Sequence, residues 1–104
     1  MNMTAGDIFS YSYEIQYTKA ADKFMKNHED VRSQYEAAIR ELLLGEHPER
    51  VDVKRIRGKL NSYYRIRLGD YRVVYAVING KIVVITTLLA GPHDDVYKKM
   101  SGLK

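Results

Sequence analysis

From Tyr64 to Arg72 large apolar side chains alternate with charged ones at the two-residue period of a pleated strand, and the apolar runs Val73–Ile78 and Ile82–Ile85 carry the strands on toward Leu89. Gly69-Asp70 and Asn79-Gly80 break the pattern with turn signals. Glycine first suits one tight hairpin turn, and Asn-Gly is the strongest short hairpin signal a sequence offers. Two-residue loops would set Leu68 opposite Tyr71, Arg67 opposite Arg72, Ile78 opposite Lys81, and Arg72 opposite Thr87. One face of this meander then carries Tyr64, Ile66, Leu68, Tyr71, Val73, Tyr75, Val77, Ile82, Val84, Thr86 and Leu88. The other carries Arg65, Arg67, Arg72 and Thr87 at one end and Val74, Ala76, Ile78, Val83, Ile85 and Leu89 over the rest.

Two such faces need cover, and the rest of the chain can supply it. Tyr11 to Thr18 alternates as a half-buried strand. Thr18 can N-cap a short helix from Lys19 to about Lys26 with Ala20, Ala21, Phe24 and Met25 as its apolar stripe, closed by Asn27. Val31, Tyr35, Ala38, Ile39, Leu42 and Leu43 recur at helical spacing between Glu29 and Leu44, and Gly45 would supply a left-handed terminal residue. Glu46 to Val53 reads as a loop. A last helix is expected over about Asp94 to Met100, where it could cover part of the second sheet face, another protein covering the remainder. The expected fold is α+β: an N-terminal strand, a two-helix hairpin, an antiparallel β meander forming one sheet, and a short C-terminal helix. At 104 residues the chain reads as one domain, with residues 1–10 as a loose leader.

Composition narrows the chemistry. The absence of cysteine removes disulfides, thiolate nucleophiles and Cys-based zinc sites together, and suits a reducing compartment. No signal-like or membrane-length apolar run is present, so a soluble, cytoplasmic protein is expected. His28 and His47 read as surface residues without metal-ligand spacing, and no cofactor is called for. The net charge of +4 conceals an uneven distribution. Arg50 to Arg72 holds Arg50, Lys54, Arg55, Arg57, Lys59, Arg65, Arg67 and Arg72 against Asp52 and Asp70. Alternation with apolar residues predicts that these charges share one face, the footprint of a polyanion partner.

Arg67 opposite Arg72 is the sharpest element of that footprint. Like charges across a strand pair are destabilising, so such a pair suits an anion. Guanidinium groups donate to phosphate in bidentate fashion and can stabilise charge growing on a pentavalent phosphorus. The plainer reading is salt bridging by Asp70, Asp94 or Asp95. His93 follows in a Gly91-Pro92-His93 turn at the sheet's end, and imidazole is a residue type suited to delivering a proton near neutrality. Tyr97 lies one helical turn on, where it could stack on a nucleobase or simply pack the last helix.

The runs Arg55-Ile56-Arg57-Gly58, Tyr64-Arg65-Ile66-Arg67, Gly69-Asp70-Tyr71-Arg72-Val73-Val74-Tyr75 and Gly91-Pro92-His93-Asp94-Asp95-Val96-Tyr97 resemble the RelE/ParE toxin superfamily. The resemblance implies a ribosome-dependent endoribonuclease that cuts messenger RNA in the decoding site, in its 16S ribosomal RNA environment. It also implies a cognate antitoxin protein as partner. Attack by the 2′ hydroxyl on the adjacent phosphate is the implied reaction. By position Arg57 matches the family's Arg before Gly, Arg65 and Arg67 its two basic strand residues, Arg72 its Tyr-Arg arginine, and Tyr97 its C-terminal tyrosine. Arg65, Arg67, Arg72, His93 and Tyr97 are thus the expected catalytic set, with Lys54, Arg55, Arg57 and Lys59 holding RNA. The best-known members carry lysine where this chain has Arg65 and Arg67, and arginine does not deprotonate, so the general base is unassigned. His93 stands where the family often has arginine and is similar to the histidine of a YafQ-like branch, which suits it to the role of acid. A ParE-like inhibitor of DNA gyrase and a non-catalytic basic RNA-binding module are the competing expectations.

Overall fold

In the computed structural model, in which residues 13–57 and 62–101 are described, the alternating segments form one five-stranded sheet. In chain order the elements are β1 (Tyr13–Tyr17), α1 (Lys19–Lys26), α2 (Glu29–Leu44), a 3-10 turn (Pro48–Arg50), β2 (Val53–Arg57), β3 (Ser62–Leu68), β4 (Tyr71–Ile78), β5 (Val83–Pro92) and α3 (His93–Met100). The strand order is β1-β5-β4-β3-β2, with β1 parallel to β5 and the other neighbours antiparallel. This is the expected α+β architecture. The leader and the Tyr11-Ser12 start of the expected first strand lie outside the described residues.

Both helices of the hairpin lie where their apolar spacing predicts. Thr18 accepts the Ala21 N–H at its hydroxyl and caps α1, and Asn27 closes it through its N–H to Phe24. Met25 of α1 and Val31, Tyr35 and Ile39 of α2 are buried against Ile66, Val73, Tyr75 and Ile85 of the sheet. Each fully buried aliphatic side chain contributes about 1.5–3 kcal/mol, so this face carries most of the fold's hydrophobic stabilisation. Tyr35 and Thr87 exchange a 2.7 Å hydrogen bond inside the core. Tyr17 donates to Glu36 at 2.6 Å, Arg32 donates to the same carboxylate oxygen at 3.2 Å, and the Arg32 guanidinium lies 5.1 Å from the Tyr17 ring centre. Together these contacts tie β1 to α2.

Several expectations need correction. The Asn79-Gly80 signal does not make a two-residue turn: Ile78 pairs with Val84, leaving the longer connection Asn79–Ile82. That shift turns Val83 and Ile85 into the helix-covered core and Val84 and Thr86 to the opposite face. The choice buries the better apolar pair. A β-bulge then follows, because Val74 pairs with Leu89 while Tyr75 pairs with Thr87, and Leu88 is the extra residue. Thr87 therefore sits in the core and not beside the arginines. Gly45 has φ −81° and needs no left-handed turn; Glu41 folds across it to accept the His47 N–H at 2.8 Å. His28 is half-buried and not free at the surface. It stacks on Phe24 at 3.9 Å, meets Tyr71 edge-on, and hydrogen-bonds the Phe24 carbonyl, joining α1 to α2.

The second face is covered in part by α3, whose Val96 packs against Tyr63 and Val74 with Met100 alongside. Ile78 and Ile82, at the far end, are 57% and 46% exposed.

Candidate functional site

The β3–β4 turn sets the site's register. Gly69 has φ +62°, where a side chain would be strained, so the tight two-residue turn predicted from sequence forms and Arg67 opposes Arg72. One step along, Lys54 of β2 opposes Arg65 of β3. Ile66, Leu68, Val73 and Tyr71 contribute to the helix-side core, so alternation turns Arg65, Arg67 and Arg72 to the α3 side. Lys54 follows Val53 of the same core and shares that side. Four cations in two facing pairs thus occupy one sheet face.

None of the four makes an ion pair among the described residues, because Asp94 turns to His93 and the remaining ion pairs lie elsewhere. Salt bridging by Asp70, Asp94 or Asp95 therefore does not account for the arginines. Arg72 is anchored by its own turn: Nη1 donates to the Gly69 carbonyl at 2.8 Å and the Tyr71 carbonyl at 3.0 Å. The Nε atoms of Arg65 and Arg72 are buried without a hydrogen-bond partner among the described residues. Buried orphan donors are uncommon in folded proteins.

The bulge at Leu88 delivers the histidine. By adding a residue to β5 it sets Gly91 opposite Arg72 and Pro92 opposite Tyr71. The His93 N–H reaches the Asp70 carbonyl at 3.2 Å, which places the start of α3 beside the β3–β4 turn. His93 Nδ1 lies 3.1 Å from the Asp94 carboxylate, which leaves Nε2 to face other partners. The Tyr97 ring lies 4.8 Å from the His93 ring and is 61% exposed, one turn along the same side of α3. An open groove of about 290 Å³ runs between β2 and α3, lined by Lys54, Arg55, Ile56, Arg57, Arg65, Tyr97 and Met100.

Arg65, Arg67, Arg72, His93, Tyr97 and Lys54 are thus brought together. Arg55 and Arg57 alternate to the other side of β2, an edge strand, and border the groove along its rim; Arg55 donates to Ser62 at 3.0 Å. The basic residues do not all share one face. Lys59 and Gly58 lie outside the described residues. Asp52 escapes a reading that ends a loop at Val53: its carbonyl accepts the Arg67 N–H at 2.9 Å and extends the β2–β3 ladder by one step. A row of guanidinium groups, an imidazole and an exposed aromatic ring can bind a phosphodiester, neutralise charge on it and protonate a departing oxygen.

Comparison with known proteins points the same way as the fold. The family described as ParE toxin of type II toxin-antitoxin system, parDE, matches residues 15–92. A chain of the RelB-RelE antitoxin-toxin complex from Methanococcus jannaschii is similar at 25% identity and a TM-score of 0.52, over 80% of this chain and 95% of that one. A chain of the archaeal RelE-RelB complex from Pyrococcus horikoshii OT3 is similar at 30% identity and a TM-score of 0.55, over 78% and 94% respectively. No curated protein matches significantly.

Proposed function

The chain belongs to the ParE toxin family within the RelE/ParE superfamily of type II toxin-antitoxin systems, and from that premise we propose that it is a ribosome-dependent endoribonuclease acting on messenger RNA in the cytoplasm. The observation that carries this reading is the facing pair Arg67–Arg72 with Arg65 beside it and His93 brought to the same turn by the β5 bulge. In this reading Arg67 and Arg72 hold the scissile phosphate and Arg65 and Lys54 hold the strand beside it. The 2′ hydroxyl attacks phosphorus, the arginines stabilise the extra negative charge, and His93 protonates the leaving 5′ oxygen. Tyr97 stacks on an unpaired base next to the cut. The ribosome supplies the unpaired, fixed messenger that so small a site does not enclose.

A cognate antitoxin is the second partner in this proposal. The two similar solved structures are toxin-antitoxin complexes, and the open end of the α3-side face supports it. A hollow of about 580 Å³ lies there over Tyr63, Ala76, Ile78, Thr86 and Leu88, beside a basic row that acidic residues would neutralise.

One observation favours a second reading, inhibition of DNA gyrase without RNA cleavage: the matching family is the ParE toxin. Inducible expression in bacteria separates the two. The ribonuclease reading expects growth arrest with new messenger 5′ ends inside coding sequences, and His93→Ala to slow cleavage by roughly 100-fold or more. Arrest with intact messenger and accumulating DNA breaks would establish the gyrase reading instead.

A further inference from the structure

Two arginines and a histidine leave one role in the ribonuclease reading open, because guanidinium groups do not take up the 2′ proton. The sheet register supplies a carboxylate for it. Val53 opposes Ile66, so Asp52 stands opposite Arg67 as the next step of that ladder, joined through its carbonyl to the Arg67 N–H at 2.9 Å. Arg67 opposes Arg72, and Arg72 opposes Gly91. Asp52, Arg67, Arg72 and Gly91 therefore form one row across four strands, and His93 follows Gly91 by two residues. Val53 packs into the helix-side core, so alternation directs Asp52 to the side of Arg67 and Arg72. Asp52 is exposed and makes no ion pair among the described residues.

We propose that Asp52 is the general base of the cleavage reaction, an assignment that rests on the ribonuclease reading above. In-line displacement puts the attacking and leaving oxygens on opposite sides of phosphorus, so base and acid must flank the anion site from opposite banks. At about 4.8 Å per strand the row spans roughly 14 Å at the backbone, with Asp52 at one end and the strand that leads to His93 at the other. The other nearby carboxylates fail this condition. Asp70 shares the histidine's bank, since its carbonyl receives the His93 N–H; Asp94 is engaged with His93 Nδ1; Asp95 lines the groove on the α1 side of α3. In the step itself the Asp52 carboxylate takes the 2′ proton as the 2′ oxygen bonds to phosphorus. The bond from phosphorus to the 5′ oxygen breaks as His93 Nε2 gives that oxygen its proton. The products are a 2′,3′-cyclic phosphate and a 5′ hydroxyl.

The test is single-turnover cleavage of a defined messenger on programmed ribosomes across a pH series, with wild type, Asp52→Asn and Asp52→Glu. Affinity is measured on the same messenger carrying 2′-deoxy nucleotides at the cut. Asp52→Asn is expected to slow cleavage by about 10²–10⁴-fold and remove the acidic limb of the pH-rate profile, with binding of the deoxy messenger unchanged or tighter. Asp52→Glu should restore the limb and part of the rate. Cleavage by Asp52→Asn within about threefold of wild type, or a loss that follows weaker binding or a lower melting temperature and that Asp52→Glu does not repair, overturns the assignment. A wild type that cuts nothing on any ribosome complex sinks the ribonuclease reading itself, a result distinct from a wild type that cuts and an Asp52→Asn that cuts equally well.

Discussion

At the scale of single residues, Arg72 shows how the site is tied to the backbone. Its Nη1 donates to both the Gly69 and Tyr71 carbonyls, so one nitrogen holds the guanidinium over the turn and these bonds leave the rest of its planar fork uncommitted. Lysine keeps the charge and loses the fork. If the chain is the ribonuclease proposed above, Arg72→Lys is therefore expected to retain most of the affinity for uncleaved messenger while single-turnover cleavage falls roughly 10–100-fold, read as a fall in kcat greater than any rise in KM. Gly69→Ala tests the support below it: at φ +62° the substitution should cost about 1 kcal/mol or more in denaturant unfolding and slow cleavage in parallel. The Arg67–Arg72 pair was legible in sequence because Gly69-Asp70 permits only a tight turn and a tight turn fixes register. Arg55 and Arg57 were grouped with Lys54 on charge alone, whereas the two-residue period separates them to opposite sides of β2.

At the scale of elements, the decisive feature is the path of β5, which no local signal foretold. Asn79-Gly80 favours a two-residue turn, but that turn would place Val83 and Ile85 on the α3 side and leave Val84 and Thr86 for the core. Burial of the larger apolar pair, and the parallel pairing of Val83 to Thr87 with β1, override it. The bulge at Leu88 restores the original phase, so that Leu89 and Gly91 face the arginine side. Thr18 holds this bulge from outside the meander. Its hydroxyl donates to the Leu88 carbonyl at 2.8 Å while accepting the Ala21 N–H, and its own N–H binds the Thr87 carbonyl at 2.9 Å. One side chain thus caps α1 and fixes the strand that delivers His93. Thr18→Ala is expected to cost about 1–2 kcal/mol by urea unfolding and, through a loosened β5, to reduce cleavage as well. Loss of stability with cleavage unchanged below the melting transition would show that the bulge holds without it.

At the scale of the whole molecule, the layering was legible, since helix stripes and an alternating meander admit few arrangements, and the uneven cover of the two sheet faces was legible in outline. One face is sealed by α1 and α2 over a tyrosine-rich core, the other half covered by α3 and rich in cations. The sealed face sets the response to alkali. Burial pushes the Tyr75 phenol up to about 12, with Tyr64 adding to it, and burial likewise raises Tyr35 and Tyr17. A folded-state pKa above the unfolded value near 10 means that this stability is complete below about pH 10 and is lost as pH rises through the folded value. Stability should fall between about pH 10 and 12, by roughly 2 kcal/mol from Tyr75 alone, and Tyr75→Phe should flatten that fall in unfolding curves taken across the range. The cationic face sets the response to salt. If Lys54, Arg65, Arg67 and Arg72 each neutralise a phosphate of single-stranded RNA, log affinity should fall with log salt at a slope near about −3, and each replacement by alanine should remove about 0.7 of it. Arg55→Ala and Arg57→Ala, on the other side of β2, should change the slope less. Equal losses from all six would mean that the RNA follows the β2 edge and not the row through Arg67 and Arg72, and would move the cleavage site away from His93.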